Sequence, residues 1–310
     1  MSAEHGTPAM TAPHIHGLSF TVGDRDSVSM LPEVAENPDL LSRMHDLGMR
    51  HYRSSSDSPV QLASRSISQT MALSPIAAED IDAMVYASAD PGAHRTDCVL
   101  SLLESAGLTR ATPVGISLGD CGNFGSALRV AHTLLADGGS KNVLLVTTDV
   151  CTDPAQRILT DTLSVLSDGA ASCILSGTAA SGISVLATGQ HTDQRVRTAD
   201  STEQLLLVRR GLSKLVFDVL ERTGLSPSDI GLLITNNVNC EAIRFMGVAL
   251  GLSHEICYVD NVADYGHVHS ADVLINLFTH LEDGLVSRQL VLSVSHSYGT
   301  WGAAVIQIAL

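Results

Sequence analysis

Strand-like and helix-like stretches take turns along nearly the whole chain, and that alternation limits the fold more than any other feature. Apolar runs at 15–22, 83–88, 113–118, 142–150 and 171–177 have the length and bounding turn residues of strands. Amphipathic stretches at 59–73, 95–106 and 124–138 separate them. A second series follows: a helix over 203–223, a strand over 231–236, helices over 239–250 and 270–283, then strands over 289–295 and 303–309. Gly138-Gly139-Ser140 stops one helix before a strand, and Ser226-Pro227-Ser228-Asp229 turns the chain into another. The pattern predicts an α/β fold of βαβ units on a mostly parallel sheet.

A weak internal repeat divides this series. Ser74-Pro75, then Asp80-Ile81 and an apolar strand, is echoed by Ser226-Pro227, Asp229-Ile230 and another apolar strand. Two similar halves are therefore expected, residues 15–178 and 179–310, behind a frayed tail over 1–14.

Of the 310 residues, 45% are hydrophobic, 16% charged and 4% aromatic. Soluble domains average roughly 25% charged, so a large aliphatic core and a buried subunit interface are expected. Eighteen Lys+Arg against 33 Asp+Glu leave a net charge of −15. Such a chain repels a phosphate backbone, which argues against nucleic-acid binding. Apolar runs fall short of a membrane span and the N-terminus lacks signal-peptide features, so a cytoplasmic protein is expected. Cysteines 98, 121, 151, 173, 240 and 257 show no CxxC and no zinc-type spacing. Reduced thiols and no metal are expected.

One thiol stands apart. Cys121 lies in Gly119-Asp120-Cys121-Gly122-Asn123-Phe124-Gly125, between the strand at 113–118 and the helix after it. Unpaired N–H groups at a helix start favour thiolate over thiol. A second feature, Ser295-His296-Ser297-Tyr298-Gly299-Thr300-Trp301-Gly302, reads as a hairpin whose backbone N–H groups could face an oxyanion. A third, Leu166-Ser167-Asp168-Gly169-Ala170-Ala171, reads as a structural turn.

In this order, over about residues 15–310, these features resemble the thiolase-fold condensing enzymes of the ketoacyl-ACP synthase III family. Leu47-Gly48-Met49-Arg50-His51-Tyr52-Arg53 is similar to the family's early "Thr-Gly-Ile-x-x-Arg" segment, and Ile81-Asp82-Ala83-Met84-Val85-Tyr86 to its "Asp-Ile-Asp-x-Ile-Ile" strand. Asp120-Cys121-Gly122-Asn123-Phe124 resembles the nucleophile turn "Ala-Cys-x-Gly-Phe". Ser167-Asp168-Gly169-Ala170-Ala171 resembles "Gly-Asp-Gly-Ala-Gly", and Thr300-Trp301-Gly302 the terminal "Thr-Trp-Gly". The resemblance implies a five-layered αβαβα sandwich of two pseudo-equivalent halves, assembled as a homodimer or as a heterodimer with a related ketosynthase. It implies Cys121 as acyl-accepting nucleophile, with the N–H groups of Cys121 and Ser297 as oxyanion hole.

Two departures bear on the chemistry. Asn236 stands where the family's "His-Gln-Ala-Asn" places its catalytic His, and His267 where "Gly-Asn-Thr-Ser" places its Asn. An amide cannot take a proton, but an imidazole can. A Cys121–His267 pair assisted by Asn236 would swap the two roles, with His269 and Asn239 as supporting candidates. Acyl transfer needs a thiolate, a base and an oxyanion hole. The expected function is acyl transfer from an acyl thioester through acyl-Cys121, in polyketide or fatty-acid-type metabolism. The alternatives are decarboxylative β-ketoacyl synthesis and a non-catalytic partner subunit. Acyl-CoA or the acyl-phosphopantetheine of an acyl-carrier protein would be the substrate, with no resident cofactor. Family members hold adenine with a Trp and an Arg, and residues 45–53 contain no Trp. Arg210, Lys214 and Arg244 are the candidates for meeting a phosphate.

Overall fold

In the computed structural model, which describes residues 12–284 and 288–310, nine strands form one sheet. They are β1 (His14–Val22), β2 (Ala83–Ala87), β3 (Thr112–Ile116), β4 (Asn142–Asp149), β5 (Gly169–Ser176), β6 (Ile183–Thr192), β7 (Leu232–Thr235), β8 (Arg288–Ser297) and β9 (Thr300–Ala309). Their spatial order is β7-β8-β9-β6-β1-β5-β4-β2-β3. Three neighbouring pairs are parallel and five antiparallel, so the sheet is mixed rather than mostly parallel. The two residues Tyr298-Gly299 are too few for a crossover, so β8 and β9 must run antiparallel.

The strand order repeats. From the outer edge inward, residues 12–178 run β3-β2-β4-β5-β1. The rest of the chain runs β7-β8-β9-β6, with an isolated bridge from Leu233 to Cys257 in place of the outermost strand. The two series meet where β1 touches β6, through His14 and Ser184. β6 is absent from the sequence expectation, because its Gly, Gln, His and Thr residues dilute the apolar alternation. Its Gly189 lies under a helix, where a Cβ would meet side-chain atoms of Val219 and Leu215 at 2.6 and 2.8 Å. Most of the expected tail, residues 1–11, lies outside the described residues, and His14 already belongs to β1.

Among the described residues, six helices of ten or more residues cover the sheet: α1 (Pro59–Leu73), α2 (Thr96–Ser105), α3 (Asn123–Ala136), α4 (Ser201–Thr223), α5 (Cys240–Ala249) and α6 (Asp272–Glu282). Strand alternation assigns them to layers, since successive side chains point to opposite faces. Val85, Val143, Leu145, Ile234, Ile306 and Ile308 share a core with Phe124, Leu128, Val273 and Leu277 of α3 and α6. Met84, Tyr86, Leu144 and Val146 pack on Leu62 and Ile67 of α1 and Leu102 of α2. Leu233, Leu292, Val294 and Val305 pack on Leu215 and Val219 of α4 and Ile243 of α5. Three apolar cores alternating with two half-sheets make five layers, αβαβα, with α3 and α6 in the middle.

One strand departs from its expected environment. Residues 113–118 read as buried, yet β3 ends at Ile116, lies at the sheet edge and is largely exposed. Leu118 beyond it is fully exposed. Apolar composition alone does not distinguish a strand covered by its own chain from an edge strand left open.

Candidate active site

The N-termini of the two central helices meet, and the candidate residues gather there. Cys121 lies in the short 3-10 turn Asp120–Gly122 that leads into α3. Gly122, the N-cap, brings no side-chain acceptor to the first turn. Close backbone packing presses this turn against the β8–β9 hairpin. A Cβ on Gly125 would lie 2.6 Å from the Cα of Gly302, and Gly125 N–H donates to Ser295 Oγ at 3.0 Å. The Ser297 amide nitrogen lies 3.4 Å from where a Gly122 Cβ would stand, so this amide borders the nucleophile turn.

His267 arrives from the other half. Gly266 before it adopts φ +60, and a Cβ there would meet Ser167 Oγ at 2.7 Å. The His267 backbone is clamped by His267 N–H to Val165 O and Ser167 N–H to His267 O, both 2.8 Å. The Ser167-Asp168 turn is thus structural, but it braces the loop that carries His267. Asp168 is itself fixed by a buried ion pair with Arg157.

His267 Nε2 lies 3.1 Å from Cys121 Sγ, and the residue is 3% exposed. Its Nδ1 hydrogen-bonds the carboxylate of Asp272, the first residue of α6. Asp272, fully buried, also accepts from Val268 N–H and Asn237 N–H, each at 2.7 Å. Burial pushes the His267 pKa down, but the Asp272 charge and the adjoining Cys121 outweigh it and hold it well above the usual histidine value. Burial likewise pushes the Cys121 thiol up, and the charge and hydrogen bond of His267, helped by His269, bring it below the ordinary thiol value. Both directions favour a thiolate–imidazolium pair.

His269 stacks beside His267, ring centroids 5.5 Å apart, with Nδ1 3.8 Å from Cys121 Sγ. Burial opposes its charged form, but the contact with Cys121 and the Asp149 carboxylate raise its pKa. Its Nε2 is buried without a hydrogen-bond partner. Asp120, Cys121 and His269 offer three ligand atoms within 4.8 Å of one another, the group that could hold a metal ion.

Asn236 is buried behind this cluster. Its Nδ2 donates to Cys121 O at 3.3 Å and His269 O at 3.0 Å, and its Oδ1 accepts from His296 N–H at 2.8 Å. All its amide contacts are thus to backbone, tying the nucleophile turn, the histidine loop and the hairpin together. Asn239 lies elsewhere: it caps α5 through Ala242 N–H and donates to Thr162 O. Lys214 pairs with Asp218, and Arg210 and Arg244 lie on exposed helix faces.

Asp272 and Asp149 escaped the sequence reading. Asp149 is buried at the end of β4 and accepts from Ser270 Oγ and Ala89 N–H. The available signal was spacing: an acid five residues beyond His267, opening an apolar helix, is placed to receive N–H groups of the loop before it.

The family model described as 3-oxoacyl-acyl-carrier-protein synthase III matches residues 118–194, and that of its C-terminal portion matches 220–308. Beta-ketoacyl-acyl-carrier-protein synthase III of Acidiphilium cryptum is 26% identical over 315 residues, covering 90% of this chain and 97% of that protein. The enzyme of the same name from Desulfotalea psychrophila is 26% identical over 272 residues, covering 79% and 83%. Among solved structures, the acyltransferase ChlB3 superposes with TM-score 0.84 at 18% identity, covering 96% of this chain and 98% of that one. The synthase III of Pseudomonas aeruginosa superposes at 0.81 and 22%, covering 97% and 99%. These likenesses fix the fold as thiolase-like. Among the described residues no helix is long and apolar enough to cross a membrane. The two family-model matches together span more than half of the sequence, and the chain belongs to the 3-oxoacyl-acyl-carrier-protein synthase III family.

Proposed function

We propose that the protein is an acyltransferase that carries the acyl group of a thioester on Cys121 and passes it to a hydroxyl, amine or thiol acceptor. The observation that carries this reading is the contact line Cys121 Sγ, His267 Nε2, His267 Nδ1, Asp272, with the imidazole inward and the carboxylate buried. A nucleophile, a base within hydrogen-bond reach and a third group orienting the base are the parts such chemistry needs. The Cys121 thiolate attacks the thioester carbonyl, and the tetrahedral oxyanion meets the N–H groups of Cys121 and Ser297. Collapse breaks the bond to the donor sulfur, which takes the proton from His267 Nε2. The acceptor then gives its proton to Nε2 and attacks the acyl carbon, and Cys121 thiolate leaves.

Asn236 supports transfer over condensation. A decarboxylative step in this family uses two polar side chains to hold an enolate, and here the amide's contacts are spent on backbone. One observation favours the second reading, condensation: His269 has an unpartnered ring nitrogen in the site. The intact contact line supports an active enzyme over a silent partner subunit.

The donor is an acyl-CoA or an acylated carrier protein, in fatty-acid or polyketide-type metabolism, a setting consistent with the family. We further propose a dimer paired through β3, whose exposed edge presents unpaired backbone groups to a second copy. Incubation with acetyl, butyryl and malonyl thioesters, read by intact mass, tests the central claim. An adduct on the wild type that disappears in Cys121→Ala is expected. No adduct with any donor overturns the reading.

A further inference from the structure

The turn that holds the nucleophile also holds an acidic side chain that the transfer scheme does not use. Asp120 Oδ1 lies 3.9 Å from Cys121 Sγ, and Asp120 Oδ2 accepts a hydrogen bond from Ser297 Oγ at 3.3 Å. The residue is exposed and borders an open recess of about 450 Å³, whose wall includes Leu118, Ser297, Tyr298 and Arg197. Its φ is +49, in the left-handed region that side chains other than Asn and Asp rarely adopt. Asp is one of the few side chains that this backbone conformation accommodates, at the position whose carboxylate borders the sulfur.

We infer that Asp120 is a charge filter at the nucleophile: it admits neutral acyl groups to Cys121 and turns away acyl groups that carry their own carboxylate. The inference deepens the acyl-Cys121 reading and rests on it. The free carboxylate of a malonyl group on Sγ is two carbons from the reacting carbonyl, which brings it within several ångströms of Asp120. At about 6 Å, and at effective dielectric constants between those of the protein surface and water, two like charges discriminate by roughly threefold to a hundredfold. An acetyl or butyryl group meets no such repulsion. Arg197 lines the same recess, but among the described residues no ion pair within 4.0 Å joins it or another cation to Asp120. The Ser297 hydroxyl orients the carboxylate without cancelling its charge. His267 and His269 attract anions as well, and a His269 ring nitrogen lies within 4.8 Å of the Asp120 carboxylate, so the comparison between variants reads the net change of charge at the sulfur.

Asp120→Asn tests the filter cleanly, because Asn removes the charge and tolerates the same backbone conformation. Alkylation of the Cys121 peptide by neutral iodoacetamide and anionic iodoacetate, followed by mass spectrometry, reports charge at the sulfur without any acyl chemistry. The iodoacetamide-to-iodoacetate rate ratio is expected to fall about tenfold in Asp120→Asn, with the gap between the proteins narrowing in about 1 M salt. The ratio of butyryl to malonyl acylation is expected to fall in the same sense. An unchanged ratio in folded Asp120→Asn overturns the filter and leaves acyl-Cys121 standing. A changed alkylation ratio with no acyl adduct from any donor sustains the charge at the sulfur and removes the transfer reading.

Discussion

The two central helices, α3 and α6, occupy equivalent places in the two halves, and their first turns do opposite work. At the start of α3 the N-cap is glycine and the nucleophile stands just before it. At the start of α6 a buried carboxylate, Asp272, takes up the N–H groups of Val268 and Asn237 and still faces His267. One helix start has a glycine cap and only a neutral acceptor, the Ser295 hydroxyl on Gly125 N–H, beside the thiolate. The other is occupied by a built-in anion, which supports an imidazolium. The buried carboxylate at one helix start supports the imidazolium, and the imidazolium in turn holds the thiolate at the other.

The largest expected effect comes from removing the base. His267→Gln keeps the side-chain volume and one hydrogen-bonding end, and it should slow acyl transfer about 10²–10⁴-fold. Single-turnover transfer from a pre-acylated enzyme reads this directly. Asp272→Asn should act in the same direction and also lower stability by about 1–3 kcal/mol, because an amide cannot accept all three of its present donors. A wild-type rate in either folded variant would show that the meeting of the two helix starts has no catalytic consequence.

A smaller effect sharpens the electrostatic half of the comparison. The Cys121 pKa is brought down by His267, and the His267 pKa is brought up by Asp272 and Cys121 despite burial. Thiolate reactivity is therefore retained below the ordinary thiol range and is lost only as pH falls through the depressed cysteine pKa. At pH 6 an ordinary thiol is about 0.3% ionised. Iodoacetamide labelling of Cys121 at that pH should be about tenfold faster in wild type than in His267→Gln, and the two should converge above about pH 9. Equal rates at pH 6 would mean that the imidazole does not hold the thiolate.

Much of this was legible in the sequence, for identifiable reasons. The six long helices appear within two residues of their expected ends, because each has a one-sided apolar pattern and a Pro, Gly, Ser or Asn at a boundary, whereas the nine-residue helix Pro38–Asp46 is absent from the expectation. Cys121 and His267 stand in contact, as the role-swapped reading required, since turns rich in small residues can be matched in order. Strand direction was not legible: an apolar run reads the same in either direction, so the antiparallel pairs emerged only from pairing. Nor was Asp272, whose role depends on a loop folding back onto the start of its own helix. The two asparagines after β7 show the same limit. Asn236 and Asn239 are three residues apart and alike in type, yet one reaches the nucleophile turn and the other an unrelated helix.

That last pair supports the smallest prediction, which separates fold from site. Asn239→Ala removes the cap of α5 and its Ala242 N–H contact, and a lost cap costs about 1 kcal/mol. Because Asn239 shares no contact with Cys121 or His267 among the described residues, pH 6 labelling should stay within twofold of wild type. Asn236→Ala instead frees Cys121 O, His269 O and His296 N–H at once, so it should lower both stability and labelling. Thermal melts beside labelling rates distinguish the two. A labelling defect in Asn239→Ala equal to that of Asn236→Ala would mean that the site is sensed through α5, and that the nucleophile turn is not held by Asn236 alone.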